Sequence, residues 1–241
     1  MRCRQGFTLA EVLITLAIIG VVAALTIPTL VSTYKKKVIE SRLSKFYSTM
    51  NQAIKLSEIE NGPIVQWDKL NAGYETDEDD NKDYSKPYSI FWFNKYLKPY
   101  IKIAKIEKEP GSLSGFIKVY LNDGSLFTFS ASNIAFYPFA NDYDTTLIGS
   151  EDNPTVRDET IYTGIKHFNF LLSPWKNSES NKYHYQKGVE PYMYGWDGTK
   201  EKLLNDSAIG CKKEVTNERA YCTVLIKLNG WKIPDDYPLK F

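Results

Sequence analysis

The chain has 241 residues, 43% of them apolar and 14% aromatic, with 30 Lys and Arg against 29 Asp and Glu. A near-neutral balance excludes a protein built to coat nucleic acid, which needs a strongly basic face. Loss of residues 1–6 would remove Arg2 and Arg4, leaving 28 basic and 29 acidic residues and a net charge of −1.

From Val12 to Tyr34 there are twenty-three residues without a charge. A helix from Phe7 to Val31 would measure roughly 37 Å, against a hydrocarbon core of about 30 Å. Glu11 stands near the start of this run. A carboxylate at the bilayer centre costs on the order of 2.5–3.5 kcal/mol, and less near the interface, so its presence needs a reason. One reason is local. Thr8-Leu9-Ala10-Glu11 matches the capping box, in which Thr8 accepts from the Glu11 amide and the Glu11 carboxylate reaches back to the Thr8 amide. A negative charge in the first turn also complements the helix dipole.

Other residues of the run favour helix packing. Ala10, Ala17, Gly20 and Ala24 fall near one face, and Gly20 with Ala24 has the spacing that lets helices approach closely in a membrane. Pro28 cannot donate to the carbonyl of Ala24, which predicts a kink or a loosened turn. These residues fit a plain membrane anchor. They also fit a cleavable secretory signal, with Val22-Ala23-Ala24 as the small-residue site.

A third reading comes from a resemblance. Gly6-Phe7-Thr8-Leu9-Ala10-Glu11, after a short basic leader and before a long apolar helix, closely resembles the signal of type IV prepilins. That family includes type IV pilins and the pseudopilins of type II secretion. The likeness is detailed over about the first 30 residues and extends, as helix character, to about Glu60. It implies cleavage between Gly6 and Phe7 by a prepilin peptidase, then N-methylation of Phe7, with the apolar helix retained. It implies a single-pass protein of the bacterial inner membrane, C-terminal domain outside the cytoplasm, that later enters a pilus or pseudopilus. Arg2 and Arg4 precede the span and Lys35-Lys36-Lys37 follow it, so charge does not orient the helix and the orientation rests on the resemblance.

The implied partners are copies of itself or other pilin-like subunits, the prepilin peptidase, an inner-membrane assembly platform and the membrane. No nucleic acid partner is evident. In that family the carboxylate matching Glu11 pairs with the N-terminal amine of a neighbouring subunit during assembly. A buried charge is tolerable when paired, and such a pair fixes register more surely than it adds stability. A proline at the place of Pro28 marks a stretch of helix that melts as subunits pack. The competing classes are a monomeric membrane-anchored binding protein with no filament role and a secreted hydrolase.

Beyond the lysines, Ile39, Leu43, Phe46, Met50 and Ile54 recur at three- and four-residue steps, predicting an amphipathic continuation of the helix. Asn61-Gly62-Pro63 stops it, giving a helix of roughly 80 Å. The chain thus divides into a leader at 1–6, a membrane and assembly helix at 7–34, its amphipathic continuation at 35–61 and a soluble domain at 62–241. Residues 73–86 read as a polar, acidic loop. Asp77, Asp79, Asn81 and Asp83 alternate like the start of a calcium loop, but Lys82 replaces the required Gly and Tyr88 the required Glu. No cofactor is expected, with calcium in this loop as the lesser reading.

Residues 87–97 predict a short helix capped by Ser85. Ile117, Val119 and Leu121 alternate, Asn122-Asp123-Gly124 turns, and Phe127 and Phe129 follow, which predicts a β-hairpin. Residues 139–160 read as loop and 165–172 as a third strand. Residues 173–220 read as irregular and tyrosine-rich. Tyr221–Leu228 reads as a further strand, turning at Asn229-Gly230 so that Trp231 and Ile233 pair back. The fold class is α+β: one long N-terminal helix packed on an antiparallel sheet, with irregular C-terminal loops.

Cys3 lies in the leader, so Cys211 and Cys222 are the pair available to the soluble part. Export would place them where a disulfide persists, contributing about 3 kcal/mol; two buried thiols are the alternative. Many type IV pilins carry such a disulfide-bounded C-terminal region, and the resemblance implies one here, tying a loop to the last hairpin. No enzyme is expected. His167 and His184 are the two histidines, and neither has a partner at metal-ligand spacing. No phosphate-binding loop or nucleophile elbow occurs. The aromatic residues between Trp175 and Trp196 read as core and loop anchors, or as a surface for carbohydrate or a partner.

Overall fold

A computed structural model describes residues 8–78, 81–108, 115–143 and 162–241. These fall into two compact units, one extending to Ile39 and including Phe241, the other running from Glu40 to Lys240. The first element is a single α-helix, α1, Leu9–Asn61, of 53 residues with Pro28 inside it. It ends where the sequence places the stop: Gly62 takes φ +72°, a left-handed value that glycine adopts without a Cβ penalty. Glu58 then secures the exit by accepting the Ile64 N–H at 2.9 Å.

In chain order follow β1 (Tyr74–Thr76), β2 (Lys82–Pro87), α2 (Tyr88–Tyr96), β3 (Ile103–Lys108), β4 (Ile117–Leu121), β5 (Leu126–Ser130), β6 (Asn133–Tyr137), β7 (Phe168–Leu171), β8 (Glu190–Pro191), α3 (Lys200–Asn205) and α4 (Cys222–Leu228). Strands β3 to β8 form one six-stranded sheet in sequential order, every neighbouring pair antiparallel. The α+β architecture, a long helix with antiparallel sheet, is therefore present.

Alternation along the strands builds the core. Phe127 pairs with Phe136, and Phe136 with Phe168; Phe129 pairs with Ile134, and Ile134 with Phe170. All six are at most 1% exposed. Within the second unit, α1 lays Leu43, Phe46, Met50 and Ile54 into the core, all buried. The Phe46 ring centroid lies 4.3 Å from Phe136, 5.1 Å from Phe170 and 5.3 Å from Phe127. Full burial of a side chain of this size contributes about 1.5–3 kcal/mol, so this stripe is the main attachment of the helix to the sheet. Helix α2 joins the same aromatic face, Phe93 lying 6.0 Å from Phe127 and 5.9 Å from Phe129.

Polar ties set the helix register. Arg42 donates to the carbonyls of Pro138 and Asp123, and Lys45 pairs with Asp123 at 2.8 Å. Asn51 donates to the Val189 carbonyl at 2.9 Å. Tyr47 donates to Glu190 at 3.1 Å, and Lys227 of α4 donates to both. Gly188 passes so close that a Cβ there would lie 2.1 Å from Asn51 Oδ1.

Four local expectations change. Residues 73–86 are not merely loop, because β1 and β2 pair antiparallel. The acidic residues serve the turn: Asp77 accepts the Asn81 N–H at 2.8 Å, and Lys86 lies 3.1 Å from Asp83 and 3.8 Å from Glu75. Residues 79–80, with Asp79, lie outside the described residues. Ser85 does not cap α2. It belongs to β2 and donates to Asp83, while Pro87, extended at φ −64°, stands at the N-cap. Strands β3 and β6 were not legible. The first is lysine-rich, as suits a strand at a sheet edge; the second is a five-residue run broken by Ala135.

The largest correction is α4. Residues 221–226 are buried on every side, so their apolar run has no helical period, and its β-branched residues mimic a strand. The Leu225 N–H bonds the Tyr221 carbonyl at 3.1 Å and the Trp231 N–H bonds that of Ile226 at 2.9 Å. Trp231, at φ +62°, thus closes the helix, and Ile233 gives its N–H to Glu40 at 2.9 Å instead of pairing back. Of the loop expected at 139–160, residues 144–160 lie outside the described residues.

Candidate functional site

The candidate site begins at the first turn of α1. Both halves of the capping box are formed. The Thr8 N–H donates to Glu11 Oε2 at 2.8 Å, the Thr8 hydroxyl donates to the same oxygen at 2.7 Å, and the Glu11 N–H donates to Thr8 Oγ1 at 3.3 Å. Two donors converge on Oε2. Gly6 and Phe7 lie outside the described residues.

Beyond this turn three threonines of the apolar run bond back to their own helix. Thr15, Thr26 and Thr33 return their hydroxyls to the carbonyls of Glu11, Val22 and Thr29 at 2.9–3.0 Å. That satisfies these three hydroxyls within the helix itself, as hydrocarbon favours. Leu13, Ile14, Leu16, Ile18, Ile19 and Leu25 are all more than half exposed. Space around Gly20 is open, with nothing within 4 Å of a Cβ placed there. So large an unpartnered apolar surface marks a membrane or protein contact, and α1 is long and apolar enough to cross a membrane.

The comparisons with known proteins divide the chain close to Pro28. Residues 1–27 match the prokaryotic N-terminal methylation motif, the signal of type IV prepilins and pseudopilins. Residues 29–241 match a family described as of unknown function, DUF6613. The chain belongs to the DUF6613 family. No curated protein and no solved structure matches it. The DUF6613 region thus includes the second half of α1 and the whole sheet, and it is joined to a methylation motif that carries Gly6, Phe7 and Glu11. Motif and apolar helix together describe a single-pass membrane anchor of the pilin and pseudopilin kind.

The cysteines and histidines singled out in the sequence lie in the DUF6613 region. Cys211 and Cys222 are bonded, with an S–S distance of 2.04 Å and Cα atoms 4.7 Å apart. The disulfide ties the irregular segment to the first residue of α4, and it packs among Leu225, Leu239, Ile165 and Tyr237. Gly164 runs beside it: a Cβ there would lie 2.7 Å from Cys222 Sγ, and its φ is +82°.

His167 and His184 are both buried and take structural positions. His184 Nε2 accepts the Met193 N–H at 3.0 Å; burial, aided by Lys187 and Lys227, pushes its pKa down to about 4. His167 Nε2 lies 2.9 Å from the Thr163 hydroxyl. Among the described residues no three His, Cys, Asp or Glu side chains gather as a metal would require. The aromatic segment is mostly anchor. Trp196 is buried with Met193, Leu203, Tyr221 and Val224, and its indole N–H meets the Thr199 carbonyl at 2.8 Å.

Proposed function

We propose that this protein is a structural subunit of a type IV pilus or type II secretion pseudopilus. Prepilin peptidase cleaves it between Gly6 and Phe7, and the new Phe7 amine is methylated. It resides in the bacterial inner membrane with residues 7–34 as the spanning and assembly helix. Residues 35–61 continue that helix, and 62–241 form the domain outside the cytoplasm. The assembly platform then draws it into a filament with copies of itself or with other pilin-like subunits.

One observation carries this reading: a methylation motif opens directly into a helix whose large apolar side chains are exposed and whose first turn holds a carboxylate. Capping by Thr8 uses Oε2 of Glu11, and a carboxylate carries two acceptor oxygens, so capping within the helix and pairing with the amine of a neighbouring subunit are compatible. The test is the mature N-terminus together with assembly. Mass spectrometry is expected to find N-methylated Phe7, and sheared filaments are expected to contain the protein. An intact Met1 and no filament fraction would reject the reading. The formed capping box favours one alternative, a monomeric membrane-anchored binding protein in which Glu11 serves only its own helix.

A further inference from the structure

Where α1 meets the turn between β4 and β5, Arg42, Lys45 and Thr49 share a cleft of about 300 Å³ with Lys102 and Asp123. The whole lining belongs to the second compact unit. Three of these residues are cationic, and Asp123 is the one carboxylate among the lining residues. Its charge is already spent. Asp123 Oδ2 takes Lys45 at 2.8 Å, and Oδ1 accepts the Ser125 N–H at 3.1 Å and the Ser125 hydroxyl at 2.6 Å. Arg42 and Lys102 are left over. Arg42 is half-buried; it donates to the carbonyls of Pro138 and Asp123 and lies 5.0 Å from the centroid of the Phe139 ring. Lys102 is exposed. Among the described residues neither is ion-paired with a carboxylate.

A tie from helix to sheet needs only a neutral donor, as Asn51 shows at the Val189 carbonyl. A half-buried guanidinium at the same task brings a charge, which costs free energy until an opposite charge answers it. A guanidinium carries five N–H donors in a planar fork matched to carboxylate and phosphate oxygens, and the two carbonyls answer two of them. In the same lining Thr49 supplies a hydroxyl and Lys102 an ammonium. We propose that this cleft binds a phosphate dianion, free or borne by a small molecule. Charge decides for phosphate over carboxylate. Lys45 and Asp123 cancel, so Arg42 and Lys102 keep two positive charges in the lining. A phosphate monoester carries about −1.5 to −2 at neutral pH and balances both; a carboxylate leaves one unanswered. The volume lies at the lower end of the roughly 300–1,000 Å³ of small-molecule sites, which suits a single compact ligand.

The proposal does not depend on the filament reading, and its test uses the unassembled full chain in a non-ionic detergent. Titration calorimetry is run with inorganic phosphate, phenyl phosphate and, as the monoanion, benzoate. The pH is held at about 8, above the second phosphate pKa of about 6. Salt is held at about 0.15 M, where the Debye length is about 8 Å, so that close contacts dominate. At least one phosphate is expected to bind about tenfold more tightly than benzoate. Tighter binding of phenyl phosphate identifies the ligand as a small organic phosphate; otherwise it is the free ion. Lys102→Gln, at an exposed position, is expected to weaken phosphate binding about tenfold, the loss of about 1.4 kcal/mol, and Arg42→Gln to abolish it. Lys105→Gln, on β3 and outside the cleft lining, is expected to leave it unchanged. Should Arg42→Gln lose the fold, as thermal melting would reveal, Lys102→Gln decides alone. No phosphate binding, benzoate bound as tightly, binding unchanged in Lys102→Gln, or an equal loss in Lys105→Gln overturns the proposal.

Discussion

The two halves of α1 use the same apolar residue types for different ends. In the first half Leu, Ile and Val surround the helix and remain exposed; in the second, Leu43, Phe46, Met50 and Ile54 form one stripe and are buried. The first half turns Thr8, Glu11, Thr15 and Thr26 back on the helix itself. The second half sends Arg42, Tyr47 and Asn51 outward to the sheet and the C-terminal segment. The difference teaches that a helix apolar all round must find its solvent elsewhere, whereas a striped one carries its partner in the same chain.

The largest expected effect comes from the first half. Glu11→Ala should abolish entry into filaments while leaving membrane insertion intact, as membrane fractionation and filament shearing would register. Normal filaments from this variant would collapse the contrast between a pairing carboxylate and a merely capping one. In the second half, Phe46→Ala removes three ring contacts and should destabilise the domain by about 3–5 kcal/mol, read from urea unfolding by tryptophan fluorescence. Replacing both Cys211 and Cys222 by Ser should cost about 3 kcal/mol in the same assay.

A pH effect comes next. The folded His184 pKa of about 4 lies below the ordinary value of about 6.5. Between these values the unfolded chain takes up a proton that the folded chain refuses. Stability is therefore fully present above about pH 6.5 and falls as pH drops toward 4, by on the order of 3 kcal/mol. His184→Gln, which keeps an acceptor for Met193, should flatten that part of the unfolding profile. The smallest effect should be Ile18→Ala, whose exposed side chain adds nothing to the domain: a change of less than about 0.5 kcal/mol in urea unfolding. A larger shift would mean that the two halves are not independent.

Periodicity made the helix legible, and Asn61-Gly62-Pro63 made its end legible, because both signals are local. The hairpin at Asn122-Asp123-Gly124 was legible for the same reason. Strands β3 and β6 were not, since an edge strand and a short central one gain their pairing from neighbours. The acidic residues around Asp77 looked like a loop because the chain pattern does not reveal that they cap a turn. At the first turn of α1, Thr8 and Glu11 were legible as a box, and the geometry adds that the Thr8 amide and hydroxyl both donate to the same carboxylate oxygen.

The sequence by itself determined the N-terminal half: a charge-free run, a box that satisfies its own first turn, and a motif that ends at Ile27, all set within a few residues of one another. Only the tertiary structure decided that Tyr221–Leu228 is a helix. Burial on every side erases the period that would have distinguished the two, and the choice then falls to Trp231, Glu40 and the disulfide. The same holds for the cationic cleft, which Arg42 and Lys45 of α1 share with Lys102 and Asp123 from much further along the chain. No local pattern places these four together; the packing of α1 against the sheet does.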